Sequence, residues 1–216
     1  MFPQISVIIP CYKGAKFLPR SVGCTLSQTW ANLECIIVDD ASPDNTREVA
    51  ENLMKRDSRV RYVYNTAKKG LAGVRNFGVK HARGQWIQFY DVDDWLYPEK
   101  IERQLNYLNT NPSDSNKDVV IYSDFEVTWE NADGETERTE ARTVGELTND
   151  ELLNQIMTWK TGPTMPLHLN SMLFKKTMFQ KNGFNENLIA FEEIELFSKL
   201  LYKNIPFLYV PMLSMS

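Results

Sequence analysis

Three carboxylates fall within four positions in the stretch Asp91-Val92-Asp93-Asp94, directly after a short apolar and aromatic run. The run, residues 87–90, is brief, rich in aromatic side chains and preceded by Gly84, as is typical of a buried strand. Carboxylates grouped at the end of such a strand repel one another and are costly to desolvate unless a cation neutralises them. Magnesium or manganese, which prefer oxygen ligands, would be the simplest such cation. The alternative is a solvated acidic turn in which Asp94 caps the next helix.

Strand and helix patterns alternate through the first half of the chain and would position this acidic stretch. Apolar runs at residues 5–9, 35–38 and 60–64 are rich in β-branched side chains and are typical of strands covered on both faces. Apolar side chains at helical spacing predict helices over 17–28, 44–54 and 98–109, and residues 70–82 are predicted to be a glycine-punctuated loop that runs into a helix. This alternation predicts right-handed βαβ units in a doubly wound, mostly parallel sheet.

The second half of the chain is less regular. We expect a strand at 118–122, an exposed hairpin within 125–143 and a helix over 149–159. A loop at 161–166 precedes an apolar stretch around residues 172–174, and a turn at 183–186 precedes a final helix over 191–202 and a strand at 207–210. Because no linker separates the halves, the sequence predicts one α/β domain over residues 1–216.

Composition narrows the class of protein. The 216 residues carry a formal net charge of −4, which argues against nucleic acid as the main partner. No apolar run approaches the roughly 18 to 20 residues needed to span a bilayer, and the first residues do not begin a signal peptide. The three cysteines lack metal-ligand spacing, so we expect isolated thiols in a reducing cytoplasm.

Chemically distinctive residues follow three of the predicted strands. In open α/β sheets, ligands bind outside the carboxyl ends of the strands, so these residues are expected to converge on one crevice. There, Tyr12 offers an aromatic face for a base, Asp40 an acceptor for its imino or amino group, and Arg75 a cation for base or phosphates. The alternative is that these residues have structural roles only: Tyr12 packs against neighbouring side chains, Asp39 caps a helix, and Arg75 is a surface cation.

Taken in order along the chain, these stretches resemble glycosyltransferase family 2, whose fold is the nucleotide-diphospho-sugar transferase type called GT-A. Asp91-Val92-Asp93-Asp94 is similar to the Asp-x-Asp-Asp metal motif of the family, and a weaker similarity lies in Gly183-Phe184-Asn185-Glu186 followed by Glu192-Glu193. The other matching stretches are Ser6-Val7-Ile8-Ile9-Pro10-Cys11-Tyr12, Ser27-Gln28-Thr29, Ile37-Val38-Asp39-Asp40-Ala41-Ser42-Pro43-Asp44 and Gly73-Val74-Arg75-Asn76-Phe77-Gly78.

The resemblance implies a role for each matching position. It implies a nucleotide-sugar-binding half, 1–110, a smaller mixed acceptor-side half, 111–216, and Mn²⁺ or Mg²⁺ as cofactor. On the donor side, Pro10 and Tyr12 would line the base, Asp40 would hydrogen-bond uracil and Arg75 would help to hold the nucleotide. At the metal motif, Asp94 would coordinate the ion directly, Asp93 would reach the ribose or the metal, and Asp91 would open the motif.

The family usually presents a Glu-Asp pair at the start of a late helix, with the Asp as catalytic base in inverting members. This chain has Glu192-Glu193 there, so the resemblance implies Glu193 as the base, with Glu192 as the second candidate. The alternative is that acids in a first helical turn complement the helix dipole. Two further positions are notable: Lys13 stands where the family commonly has Asn, and His168 is either an acceptor contact or a packed histidine.

The resemblance implies a metal-dependent inverting glycosyltransferase that moves a sugar from a nucleotide diphosphate, a UDP-sugar, to a hydroxyl of a saccharide or lipid-linked saccharide. Cell-surface polysaccharide or lipopolysaccharide synthesis would be its setting, at the cytoplasmic inner face of the membrane through peripheral contact. Two alternatives stay open: a non-catalytic nucleotide-sugar-binding domain and a sugar-nucleotide pyrophosphorylase. The pyrophosphorylase needs a basic glycine-rich loop after the first strand, and a dinucleotide dehydrogenase needs Gly-x-Gly-x-x-Gly there; neither pattern is present.

Overall fold

A computed structural model describes residues 4–67, 70–110, 117–131, 136–158 and 167–215 of the chain. One eight-stranded sheet contains strands from both halves, in the order β3-β2-β1-β4-β7-β5-β6, with β8 paired to β5. The strands are β1 (Ile5–Cys11), β2 (Leu33–Asp39), β3 (Val60–Tyr64), β4 (Trp86–Phe89), β5 (Val120–Glu130), β6 (Thr136–Arg142), β7 (Leu173–Lys175) and β8 (Phe207–Leu213).

The first four strands form a parallel sheet, as the sequence predicts. β1 lies at its centre, with β2 on one side and β4 on the other, and β3 extends the sheet beyond β2. Every residue of β1, β2 and β4 is buried, which explains their continuous apolar runs. β4 can lie close to β1 because Gly84 precedes it: a side-chain carbon on Gly84 would lie 2.6 Å from the backbone nitrogen of Ser6.

The second half extends the sheet with mixed pairing. β7 is antiparallel to both β4 and β5, and β5 and β6 form the expected hairpin, whose turn lies outside the described residues. The last strand, β8, runs parallel to β5. The smaller mixed portion that the sequence predicts is therefore confirmed, and it continues the same sheet.

Helices cover both faces of the sheet, so the doubly wound arrangement is confirmed. Buried side chains of α1, α2 and α4 share one core cluster, and those of α3, α5 and α6 share the other. The helices are α1 (Leu18–Leu26), α2 (Thr46–Arg56), α3 (Leu71–His81), α4 (Lys100–Thr110), α5 (Asn149–Met157) and α6 (Glu192–Tyr202). Among the described residues, no helix combines the length and apolar content needed to cross a membrane.

Helix boundaries differ slightly from the sequence expectations, for local reasons. α4 begins at Lys100 rather than at 98, and the carbonyl of Pro98 instead accepts from the amide of Thr29 at 2.9 Å. At α5 the cap is Thr148, which forms a reciprocal capping box with Glu151. The predicted end of this helix at 159 and the predicted loop at 161–166 lie outside the described residues.

Candidate active site

The acidic turn after β4 is closed by hydrogen bonds to its own backbone. The buried Tyr90 donates its hydroxyl to the carbonyl oxygen of Asp94 at 2.8 Å, and the Asp94 amide donates to the Asp91 carbonyl at 3.2 Å. From α1, the Arg20 guanidinium donates to the carbonyl of Asp93. Because the backbone is held in this way, the positions from which the side chains of Asp91, Asp93 and Asp94 project are fixed. The three carboxylates have different environments.

Asp94 is half-buried, and its carboxylate accepts a hydrogen bond from the side-chain amide of Asn170. Burial raises the pKa of Asp94 to about 6, while the nearby His168 works in the opposite direction. Asn170 is completely buried, and its Oδ1 has no hydrogen-bond partner. The desolvated carboxylate of Asp94, oriented by the hydrogen bond from Asn170, supplies oxygen atoms suited to a hard cation.

The oxygen donors at this turn fit a metal shared with a diphosphate. Within the described part of the chain, no group of three or more His, Cys, Asp and Glu side chains is arranged to hold a metal ion alone. Magnesium in phosphate chemistry is usually bound by only one or two carboxylates, and substrate phosphates and water complete its shell. Asp94, beside the unpartnered oxygen of Asn170, is the donor that best matches this mode.

A cleft of about 450 Å³ lies at the carboxyl ends of β1, β2 and β4. The exposed ring of Tyr12, which is 58% accessible, stands at this cleft. The sequence-predicted residues that line it are Pro10, Tyr12, Asp40, Asp91 and Asp93, together with Cys11, Gly70, Leu71, Val74 and Val92. The strand ends therefore meet as the topology predicts, and the cleft has the location expected of a ligand site in an open α/β sheet.

Asp40 is held in the cleft by two neutral donors. One carboxylate oxygen accepts from the Asn65 side-chain amide at 2.8 Å, and the other accepts from the Gly70 backbone amide at 2.9 Å. Gly70 has φ = 101°, a conformation that side-chain-bearing residues rarely adopt, so glycine is needed here to aim its amide at Asp40. The neighbouring Asp39 accepts from Tyr62 and from the Ser42 amide instead, outside the cleft lining.

Arg75, on α3, joins the metal motif to the late acidic pair. Its guanidinium is 1% exposed and lies 3.2 Å from Asp91, 3.0 Å from Glu192 and 2.8 Å from Glu193. It also lies 5.5 Å from the centre of the Phe184 ring. Arg75 is not among the cleft-lining residues, so in this structure its contacts are with carboxylates. One cation therefore connects three acids from two distant parts of the chain.

Glu193 lies in the first turn of α6 next to this cation. Burial raises the pKa of Glu193 to about 7; Arg75 lowers it, whereas Asp91 and Glu192 raise it. The pKa stays raised despite an ion pair at 2.8 Å, because burial has the largest effect on it and the two neighbouring carboxylates add to that effect. Glu192 is more deeply buried than Glu193, at 9% against 21% side-chain exposure. Of the pair, Glu193 is thus the more accessible acid and has a proton affinity suited to a base near neutral pH.

His168 and Asn170 bring a further segment to the acidic turn. The imidazole Nδ1 of His168 accepts a hydrogen bond from the backbone amide of Asn170 at 3.3 Å. The centre of the His168 ring lies 5.3 Å from that of the Phe125 ring. Sequence reasoning missed Asn170, although a polar side chain within the apolar run 167–174 was a usable signal. Lys13, at the position where the family commonly has Asn, adopts φ = 55° and places its ammonium 5.4 Å from the centre of the Tyr12 ring.

Comparison with known proteins identifies the class to which this fold and cleft belong. Residues 6–176 match the family described as glycosyl transferase family 2. The chain belongs to this family. Among curated relatives, the glycosyltransferase GlyG of Streptococcus pneumoniae is 32% identical over 189 residues, covering 86% of this chain and 61% of GlyG.

Solved structures show the same fold at lower identity. S. aureus TarS 1-349 in complex with UDP-GlcNAc has a TM-score of 0.68 at 18% identity, covering 97% of this chain and 58% of that one. The mannosyltransferase PcManGT from Pyrobaculum calidifontis, in complex with GDP-Man and Mn²⁺, has a TM-score of 0.67 at 16% identity, covering 98% and 55%. The GT-A fold is therefore confirmed, and the chain spans less than two thirds of each of these relatives.

Proposed function

We propose that this chain is a metal-dependent, inverting glycosyltransferase that moves a hexosyl or N-acetylhexosaminyl group from a nucleotide diphosphate to an acceptor hydroxyl. The observation that carries the proposal is the Arg75 ion-pair cluster, which joins Asp91 of the cleft to Glu192 and Glu193 on α6. Through this cluster, an acid with a raised pKa is tied to the edge of a cleft suited to a nucleotide. Donor binding and proton removal can therefore occur within one connected site.

The donor nucleotide fits the cleft at the ends of β1, β2 and β4. Tyr12 presents its exposed ring for base stacking, beside Pro10, and Asp40 accepts from the imino group of uracil. A carboxylate oxygen has two lone pairs, so Asp40 can accept from a base while it keeps Asn65 and Gly70 as donors. TarS in complex with UDP-GlcNAc is one structural neighbour, which supports a UDP-sugar as the donor.

Three residues, Asp91, Asp93 and above all Asp94, would hold Mn²⁺ or Mg²⁺ at the diphosphate end of the cleft. A divalent ion bound there would neutralise negative charge as it develops on the departing nucleoside diphosphate. Asp93 lines the cleft, and in this proposal it contacts the ribose or the metal. A neighbouring structure that contains GDP-Man and Mn²⁺ supports metal use by this fold.

Glu193 removes the acceptor proton. As the acceptor oxygen bonds to the anomeric carbon from the far side, its proton passes to the Glu193 carboxylate and the bond to the diphosphate oxygen breaks with its electron pair, so the configuration inverts. The pKa of about 7 matches the base to neutral conditions, because proton transfer is most effective when the pKa of the base lies near the working pH. Glu192, buried beside Glu193 and paired with the same guanidinium nitrogen of Arg75, acts mainly through its effect on Arg75 and Glu193.

The acceptor in this proposal is a saccharide or lipid-linked saccharide, and the reaction belongs to cell-surface polysaccharide or lipopolysaccharide synthesis. A net charge of −4 argues against nucleic acid as the acceptor. The site of action would be the cytoplasmic inner face of the membrane, reached by peripheral contact.

The direct test is nucleoside diphosphate release from a panel of nucleotide sugars, with Mn²⁺ and candidate saccharide acceptors. The variants Asp94→Ala and Glu193→Gln are both expected to lose release. Glu195→Gln is a matched control, because Glu195 lies in the same helical turn but pairs with Lys199 at 3.2 Å. Release at the wild-type rate by both Asp94→Ala and Glu193→Gln would show the assignment to be wrong.

A thermal-shift screen identifies the donor separately from turnover. A ligand that binds only the native state raises the apparent stability, so uridine and guanosine diphosphate sugars can be ranked with and without Mn²⁺. Stabilisation that requires Mn²⁺ and is absent in Asp94→Ala would support the metal-dependent donor site. Metal-dependent donor binding without turnover on any acceptor would favour the non-catalytic alternative.

A further inference from the structure

Lys100, the first residue of α4, is a fully buried lysine. In the part of the chain that the structure describes, its ammonium donates hydrogen bonds only to uncharged oxygen atoms. Its ammonium donates to Oε1 of Gln88 on β4, to Oε1 of Gln104 at 2.9 Å and to the carbonyl of Met172 at 3.4 Å. Burial holds the pKa of Lys100 well below its usual value. A lysine without a carboxylate is an expensive way to fill a core, so its contacts call for an explanation.

Lys100 fixes the orientation of two glutamine amides. Because both amide oxygens face the lysine, both NH₂ groups must face away from it. The Gln88 NH₂ donates to the carbonyl of Asn170 at 2.8 Å, and the Gln104 NH₂ donates to the carbonyl of Ser171 at 2.9 Å. If either amide turned over, its oxygen would meet a carbonyl oxygen and its NH₂ group would meet the ammonium, so its hydrogen bonds to Lys100 and to that carbonyl would both be lost.

Three successive carbonyls, those of residues 170, 171 and 172, are thereby held by buried side chains. Gln88 holds the first, Gln104 and the Ser123 hydroxyl hold the second, and Lys100 itself holds the third. Gln88, Lys100, Gln104 and Ser123, here called the buried polar cluster, are all completely buried. Such a cluster is rigid when all its members are satisfied, because every alternative arrangement leaves a buried polar group unpaired.

The segment held by the buried polar cluster is the one that carries Asn170. With its backbone fixed, Asn170 can aim its side-chain amide at Asp94, the residue placed closest to a metal by the proposed function. Residues that hydrogen-bond to a metal ligand set its orientation and typically change metal affinity about 10- to 100-fold when removed. A purely structural role for the cluster would instead affect folding stability and leave the cleft unchanged.

We propose that Asn170 is a positioning residue for Asp94, and that the buried polar cluster around Lys100 holds Asn170 in place for this task. The inference rests on the proposed metal-dependent function and concerns residues that the family resemblance did not assign. Lys100 in this view does not contact donor, acceptor or metal. It acts indirectly: Lys100 orients two glutamines, the glutamines hold the turn that carries Asn170, and Asn170 orients the carboxylate of Asp94.

The test is the uptake of Mn²⁺ in the presence of UDP, measured by electron paramagnetic resonance of the free ion, with GDP in parallel. Asn170→Ala removes the amide that orients Asp94, and its Mn²⁺ affinity is expected to fall about tenfold. Lys100→Met keeps an unbranched side chain, one atom shorter, but releases both glutamines, and it is expected to weaken Mn²⁺ binding by a similar factor. Turnover is not needed for this readout.

Gln28→Met is the matched control for Lys100→Met. Gln28 is a buried glutamine beside α4: it donates to the Tyr97 carbonyl at 2.8 Å and accepts from the Ile101 amide at 3.3 Å. Its side chain forms no hydrogen bond to residues 170–172 within the part of the chain that the structure describes. The control is expected to lose thermal stability and keep wild-type Mn²⁺ affinity. Should Lys100→Met fail to fold, Gln88→Met removes the donor to the Asn170 carbonyl together with one of the three acceptors of Lys100, and it carries the same expectation.

The outcomes separate this proposal from the proposed function. Weaker Mn²⁺ uptake in Asn170→Ala and in the cluster variant, with the control unchanged, supports positioning. Wild-type uptake in Asn170→Ala overturns it, and wild-type uptake in the cluster variant overturns the part played by Lys100. If the unmodified protein takes up no Mn²⁺ with either nucleotide, the metal-dependent function itself fails, and the positioning role is overturned with it.

Discussion

Asp40 and Glu193 are two carboxylates from opposite halves of the chain, and they are held in opposite ways. Asp40 has a neutral donor on each oxygen, Asn65 on one and Gly70 on the other. Glu193 instead shares the guanidinium of Arg75 with two other acids. The first arrangement fixes a carboxylate in space, whereas the second leaves it in an excess of negative charge.

In the proposed function, this difference separates donor recognition from proton transfer. A carboxylate directed by neutral donors presents the same acceptor whether or not a ligand is bound, which suits it to read a base. A buried carboxylate gains proton affinity, and neighbouring acids add to it, so the pKa of Glu193 rises to about 7. We therefore expect changes at Asp40 to act on donor affinity and changes at Glu193 to act on the rate of transfer.

The largest expected effect is on the rate of transfer in Glu193→Gln. Gln keeps the size of the side chain but cannot accept the acceptor proton, so kcat should fall about 100-fold or more, the usual contribution of a general base. The Kd for UDP, measured by calorimetry, should stay near that of the wild type. A variant with unchanged kcat would place the base elsewhere, and Glu192→Gln would then be the next measurement.

The next largest effect is on the stability of Arg75→Met. Removing a buried cation while its partners remain leaves Asp91, Glu192 and Glu193 uncompensated, which is expected to lower the free energy of unfolding by about 3 kcal/mol. Urea denaturation measures this directly. If the three acids cause the loss, the double variant Arg75→Met/Glu193→Gln should recover part of it; no recovery would mean that packing against Phe184 dominates.

A third prediction concerns the pH dependence of stability. Because the folded pKa of Glu193 is raised from 4.5 to about 7, the folded state binds this proton more tightly than the unfolded state does. Stability from this group is therefore present below about pH 4.5 and is lost as the pH rises towards 7. Between pH 5 and pH 8, the free energy of unfolding of the metal-free wild-type protein, measured by urea denaturation, should fall by roughly 2 kcal/mol more than that of Glu193→Gln. Glu195→Gln, which removes an acid from the same helix, should lose as much as the wild type.

The sequence was sufficient to place Asp40 and the acidic turn in one cleft. Buried runs mark β1, β2 and β4 as neighbouring parallel strands, and the carboxyl ends of parallel strands lie at one edge of a sheet. Tyr12, Asp40 and Asp93 follow those ends directly, so their convergence depends on local patterns and topology alone. The early half of the fold was predictable for the same reason.

The partners of Arg75 and Asp94 were not predictable from such patterns. Arg75 is 117 residues from Glu192, and Asn170 is 76 residues from Asp94. Helical spacing shows which face of α3 is buried, but it does not show which distant side chain meets that face. The contacts depend on how β7 and α6 pack onto the finished sheet, and this is set by tertiary packing rather than by local sequence.

The smallest expected effect is on donor binding in Asp40→Ala. Loss of the charged group that accepts a hydrogen bond from the base should weaken UDP binding about tenfold, or about 1.4 kcal/mol. The kcat at saturating donor should be almost unchanged. Part of that loss could come from the loop that Asn65 and Gly70 anchor to Asp40. Asn65→Ala separates the two causes, because it removes the neutral donor and keeps the carboxylate. If Asn65→Ala weakens UDP as much as Asp40→Ala does, loop position controls affinity. A smaller loss assigns recognition to the Asp40 carboxylate itself.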